Sequence, residues 1–133
     1  KPDNLFISEN GLIKLGDVGL VVQLQHTDSV RNEVCGTRYY MAPEVYDEAT
    51  ELRSDVWALG ISLIEMAEKH PYGGLSPAKV VKCIVSDPPP SLSSSKWSAA
   101  FVDFVNKCLV KNVKERWSVS QLMEVSVVLW SHD

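Results

Sequence analysis

The chain has 133 residues, 45% hydrophobic and 23% charged, with a formal net charge of −4. These values fit one globular domain with a real core, and the acidic balance argues against nucleic acid as a partner. No apolar run reaches the roughly 18 residues of a membrane span, and no signal-peptide pattern opens the chain. Cys35, Cys83 and Cys108 are widely spaced and form no C-x-x-C pair. The expectation is therefore reduced thiols in an intracellular, cytoplasmic compartment, without a disulfide framework or zinc site. The first residue is lysine, not methionine, so the chain is expected to be a piece of something longer.

Residues 5–7 and 12–15 are short apolar runs separated by Ser8-Glu9-Asn10-Gly11. Asn-Gly between such runs predicts a hairpin. Antiparallel strands bring Asn4 and Asp17, just outside its two ends, close in space. A carboxamide and a carboxylate so placed offer oxygen ligands to a hard cation such as magnesium. The alternative is that both residues cap turns. Residues 17–41 show no sustained period, and a structureless stretch of that length inside a compact domain is usually functional or disordered.

Ala42-Pro43-Glu44-Val45-Tyr46 predicts a short helix with proline in its first turn. Residues 54–68 then carry Val56, Trp57, Leu59, Ile61, Leu63, Ile64, Met66 and Ala67 all round a helical wheel. That pattern predicts a buried hub helix. Ser54 is its expected N-cap, and Asp55 is an expected buried acid in the first turn. His70-Pro71-Tyr72-Gly73-Gly74 is a breaker. Ser76-Pro77 opens a helix carrying Val80, Val81, Ile84 and Val85. Phe101, Phe104, Val105, Cys108 and Leu109 form an amphipathic stripe over 98–109. Ser118 and Gln121 form a capping box for a last helix with Val119, Leu122, Met123 and Val125. The fold class expected is mainly α with a small β-hairpin.

Taken together, these landmarks resemble the C-terminal lobe of a eukaryotic protein kinase. Lys1-Pro2-Asp3-Asn4 resembles the end of the H-R-D-x-K-x-x-N catalytic loop. Asp17-Val18-Gly19 resembles D-F-G. Gly36-Thr37 before Met41-Ala42-Pro43-Glu44 resembles the substrate-facing loop and the A-P-E motif. Ser54 to Gly60 resembles the start of the family's central helix, and Arg116 stands where the family places the partner of the A-P-E glutamate. The five landmarks occur in the family's order across residues 1–117. The resemblance implies an incomplete kinase domain over 1–133, from the catalytic loop to the last helix, belonging to a fold that is α+β when complete.

The same resemblance implies ATP and Mg2+ as cofactors and proteins as substrates. It implies that Asn4 and Asp17 hold magnesium, that Lys1 supplies positive charge at the transferring phosphoryl group, and that Thr37 braces the catalytic aspartate and the substrate hydroxyl. Gly36, Thr37 and Arg38 fall in the substrate loop, and Thr27, Ser29 and Glu33 in the activation loop. Glu44 and Arg116 are implied as a buried ion pair, and Asp55 as a structural acid. Lys1 and Gly36-Thr37 are similar to the serine/threonine kinases, and Arg31-Asn32 with Met-Ala-Pro-Glu-Val is similar to the sterile-20 and MAP-kinase-kinase-kinase branch.

The chain departs from the family pattern in several places. The catalytic aspartate would lie two residues before Lys1, and the glycine-rich loop, the strand lysine and its glutamate partner are missing. The chain alone is expected to be inactive and to expose apolar surface on the hub helix. Val18 replaces phenylalanine and fills less volume. Arg38 replaces a frequent proline. Glu33 puts a permanent acid where a phosphorylatable threonine is frequent. The rival reading is a pseudokinase or scaffold lobe that binds partners without catalysis.

Overall fold

The computed structural model describes residues 1–19, 38–93 and 95–125. The expectations for Thr27, Ser29, Glu33, Gly36 and Thr37 lie outside those residues. A 3₁₀ turn at Pro2–Asn4 leads into β1 (Leu5–Ile7), which pairs antiparallel with β2 (Ile13–Leu15) in the register Leu5↔Leu15, Phe6↔Lys14, Ile7↔Ile13. Ser8 closes the connection: its N–H donates to Leu12 O at 2.9 Å, and its carbonyl accepts from Gly11 N–H at 2.9 Å. The hairpin thus falls where the two apolar runs and the Asn-Gly turn put it.

Two further 3₁₀ turns follow, Arg38–Tyr40 and Pro43–Asp47. The second is the proline-led helix expected after Ala42. It closes on Glu48 in the left-handed region, φ 59°.

The central helix α1 spans Ser54–Ala67. Its broad inner face carries Val56, Trp57, Gly60, Ile61 and Ile64, and packs on α3. Three expectations are corrected here. Ser54 is not an N-cap: the cap position is Arg53. The Ser54 hydroxyl instead donates to Glu44 Oε1 at 2.8 Å and accepts from Glu51 N–H at 3.1 Å, so it ties the preceding turns together. Asp55 is exposed, not buried. The protein around its carboxyl still raises its pKa. Nor is α1 buried all round, since Leu59 and Leu63 are half-buried and Met66 is 53% exposed.

The helix α2 (Pro77–Ser86) follows Ser76 and buries Val80 and Ile84. Its proline occupies the first turn, where a missing N–H costs nothing. Then α3 (Ala99–Cys108) starts on Ser98, whose hydroxyl accepts from Phe101 N–H at 3.2 Å. Phe101, Val105, Cys108 and Leu109 are buried and Phe104 is half-buried, so the stripe faces the core. The last helix, α4 (Val119–Met123), opens on the Ser118–Gln121 capping box. It is shorter than its apolar pattern suggests: Val125 lies beyond it, and of that pattern only Leu122 is buried.

Candidate functional site

The two ends of the hairpin meet. Asn4 Nδ2 lies 3.5 Å from Asp17 Oδ2, and Gly16 N–H donates to Asn4 O at 2.8 Å. Gly16 lets the Phe6 ring lie close against the chain here, because a Cβ on it would sit 2.3 Å from that ring. The next residue, Asp17, has φ 56°. Few non-glycine residues enter that region, although aspartate is among the more tolerant. Such backbone conformations concentrate at functional sites. The amide orientation of Asn4 is an assignment, since its oxygen and nitrogen interchange by a flip. Flipped, Asn4 Oδ1 joins the Asp17 carboxylate as a second oxygen ligand.

This donor set fits magnesium. Mg2+ takes oxygen ligands and is commonly held by one or two protein groups, with phosphates and water completing the octahedron. Among the described residues no group of three or more His, Cys, Asp or Glu is arranged to hold a metal ion. A cation held by these two side chains would need water or other oxygen ligands to complete its octahedron.

Lys1 and Asp3 flank this site and also line a cavity of about 320 Å³ with Tyr39, Tyr40, His70, Gly73 and Gly74. The cavity lies between the Pro2–Asn4 turn, the 3₁₀ turn Arg38–Tyr40 and the α1–α2 connection. Tyr40 donates its hydroxyl to Glu65 Oε2 at 2.6 Å, and Tyr39 to Leu75 O at 3.3 Å. Burial, then the Glu65 carboxylate, holds the Tyr40 phenol well above its usual range. Tyr46 donates to Arg38 O at 2.6 Å, so three tyrosine hydroxyls tie this turn to the Pro43–Asp47 turn, to α1 and to the α1–α2 connection. Arg38 itself is exposed. The sequence reading passed over Asp3, Tyr39, Tyr40, Glu65 and His70. The tyrosine doublet has no periodic signal, and the His-Pro-Tyr stretch reads as a breaker.

Glu44 and Arg116, 72 residues apart, form a bidentate pair. Arg116 Nη1 lies 2.7 Å from Glu44 Oε1, and Nη2 lies 2.9 Å from Oε2. The remaining guanidinium donors reach Val110 O at 2.8 Å, Arg53 O at 2.9 Å and Lys111 O at 3.3 Å. All five N–H donors of a fully buried arginine are therefore satisfied, which is what burial of that charge requires. The guanidinium also lies 5.3 Å over the Trp57 ring. The pair fastens the Pro43–Asp47 turn to the start of α1 and to the segment after α3.

The family model for the protein kinase domain matches residues 1–128. The chain belongs to the protein kinase family. It is 42% identical over 127 residues, 93% of its length, to the serine/threonine-protein kinase hippo of Drosophila melanogaster. It spans 19% of that relative's length. The family uses ATP and Mg2+ and acts on proteins, and the relative's name supports the serine/threonine side of it. Among the described residues no helix is long and apolar enough to cross a membrane.

Proposed function

We propose that this chain is the C-terminal lobe of a serine/threonine protein kinase, incomplete over 1–133. In the complete protein it would support transfer of the ATP γ-phosphate to serine and threonine hydroxyls. The observation that carries this reading is the meeting of Asn4 and Asp17 at the ends of one hairpin, with Asp17 in a left-handed conformation, inside a chain of the kinase family.

Phosphoryl transfer asks a protein chiefly to position phosphates and neutralise charge. In this reading Asn4 Oδ1 and the Asp17 carboxylate hold Mg2+, which when bound neutralises the phosphate oxygens. Lys1 sets its ammonium beside the transferring group, and Thr37 braces the substrate hydroxyl. A bond forms from that hydroxyl oxygen to the γ-phosphorus as the bond to the bridging oxygen of ADP breaks. The hydroxyl proton goes to the aspartate expected two residues before Lys1. Gly36, Thr37 and Arg38 line the path of the substrate segment, and Thr27, Ser29 and Glu33 belong to the loop that orders it. Asp55 supports the catalytic-loop segment from the start of α1. The cavity beside Lys1, with Asp3 and the tyrosine doublet on its walls, takes a protein segment. Such a protein works where ATP is abundant, in the cytoplasm, and the similarity to hippo fits the sterile-20-like branch.

The test is phosphoamino-acid analysis of a mixed-sequence protein substrate after reaction with the full-length protein and labelled ATP. Label on phosphoserine and phosphothreonine is expected. Label confined to phosphotyrosine would overturn the assignment, and partner binding with no transfer would favour the scaffold.

A further inference from the structure

His70 has no role in the reading above, yet it is a half-buried titratable group on the wall of the cavity. Its Nδ1 accepts from Tyr72 N–H at 3.1 Å. A ring nitrogen that accepts carries no proton, so the imidazole is neutral with its proton on Nε2. Nε2 is buried without an oxygen or nitrogen partner among the described residues. Its surroundings are aromatic: the ring stands edge-on to Tyr40 at 5.0 Å and 89°, and to Tyr39 at 5.7 Å and 87°, and lies 6.0 Å from Tyr72. An N–H among tyrosine rings finds weak π acceptors, enough for one neutral donor. The imidazole thus wedges the α1–α2 connection against the Arg38–Tyr40 turn, the segment that follows Gly36-Thr37.

We propose that His70 is a positioning residue for the substrate loop: its neutral ring holds the Arg38–Tyr40 turn in place, and its protonation releases that turn and weakens binding of the protein substrate. The inference rests on the kinase reading for its functional consequence, but not for its structural one. Protonating Nδ1 replaces the acceptor of Tyr72 N–H with a second donor. The two N–H groups then face each other, and the wedge loses its anchor. Burial already depresses the His70 pKa.

The charged and titratable neighbours do not cancel this. Glu65 on α1 favours the cation, but its carboxylate is already taken by the Tyr40 hydroxyl at 2.6 Å. Across the cavity, Lys1 and Asp3 carry opposite charges. Lys69 adds a positive charge next in the chain, and Tyr39, Tyr40 and Tyr72 are neutral phenols. Because the folded pKa lies below the ordinary value, the unfolded or released form takes up the proton first as pH falls. The wedge is intact above the ordinary histidine range. It is lost as pH falls through that range toward the depressed folded value.

The experiment uses the full-length protein between about pH 7.5 and about pH 5.5. KM for a protein substrate is followed beside KM for ATP. In the parent, the protein-substrate KM is expected to rise several-fold on acidification while KM for ATP holds. His70→Asn keeps an acceptor for Tyr72 N–H without a titrating ring, so its protein-substrate KM should be nearly flat with pH. His70→Ala should raise that KM at every pH. A His70→Asn profile that still follows the parent would overturn the proposal. Tyrosine and histidine ring resonances of the labelled full-length protein decide the structural claim even if no phosphate is transferred. Tyr39 and Tyr40 shifting with the His70 midpoint supports it, and their indifference to that titration refutes it.

Discussion

Arg116 shows what a single residue does here. Its five donors are all engaged, and both oxygens of Glu44 are taken. Removing one partner leaves a buried, uncompensated charge, which costs about 3–5 kcal/mol. Arg116→Ala is therefore expected to lower the unfolding midpoint of the full-length protein's kinase domain sharply. Arg116→Lys should recover only part of the loss, because an ammonium cannot reproduce the two-pronged fork. A thermal or denaturant melt reads both, and an unchanged midpoint in Arg116→Ala would reject the pair as an anchor. No period or spacing links residues 72 apart, so only the family resemblance made this pair legible. The Ser54 hydroxyl on Glu44 was not legible at all, because a serine before a helix reads as its cap.

At the scale of the element, the tightest junction is between α1 and the end of α3. Gly60 stands where a Cβ would meet Leu109 Cγ and Cδ2 at 2.7 Å and Cys108 Cβ at 2.9 Å. In an exposed helix, Gly→Ala gains about 1 kcal/mol. Here Cys108 and Leu109 are fully enclosed, and overpacking costs typically about 1–3 kcal/mol. The second effect wins, so Gly60→Ala should destabilise the domain in the same melts, and a stabilised variant would show that α3 can retreat. Helix existence was largely readable, because apolar residues at helical spacing have to face something. Burial around each helix was less so. Met66 lies on a face of α1 that no described element covers, and Asp55 is exposed in its first turn; neither fact is written in their spacing. The 3₁₀ turn holding Tyr39 and Tyr40 has no periodic signature, and its position depends on hydrogen bonds to Glu65 and Leu75 from distant parts of the chain.

For the whole molecule, apolar exposure is concentrated on the hairpin. Ile7, Ile13 and Leu15 are each at least 70% exposed, and Phe6, Leu12 and Val18 are also open. An isolated two-stranded hairpin is marginal in water, so a hairpin this exposed gains little stability from burial of its own side chains. The candidate metal ligands Asn4 and Asp17 flank that same hairpin, which ties their geometry to its pairing. The direct measurement is transfer of labelled γ-phosphate from ATP to protein by the full-length protein, with Asp17→Asn beside the unaltered form. Loss of transfer in the variant, with its melt unchanged, is the result expected if Asp17 holds the magnesium. Equal transfer by both forms, or no transfer from a well-folded unaltered protein to any serine or threonine substrate, would contradict the account.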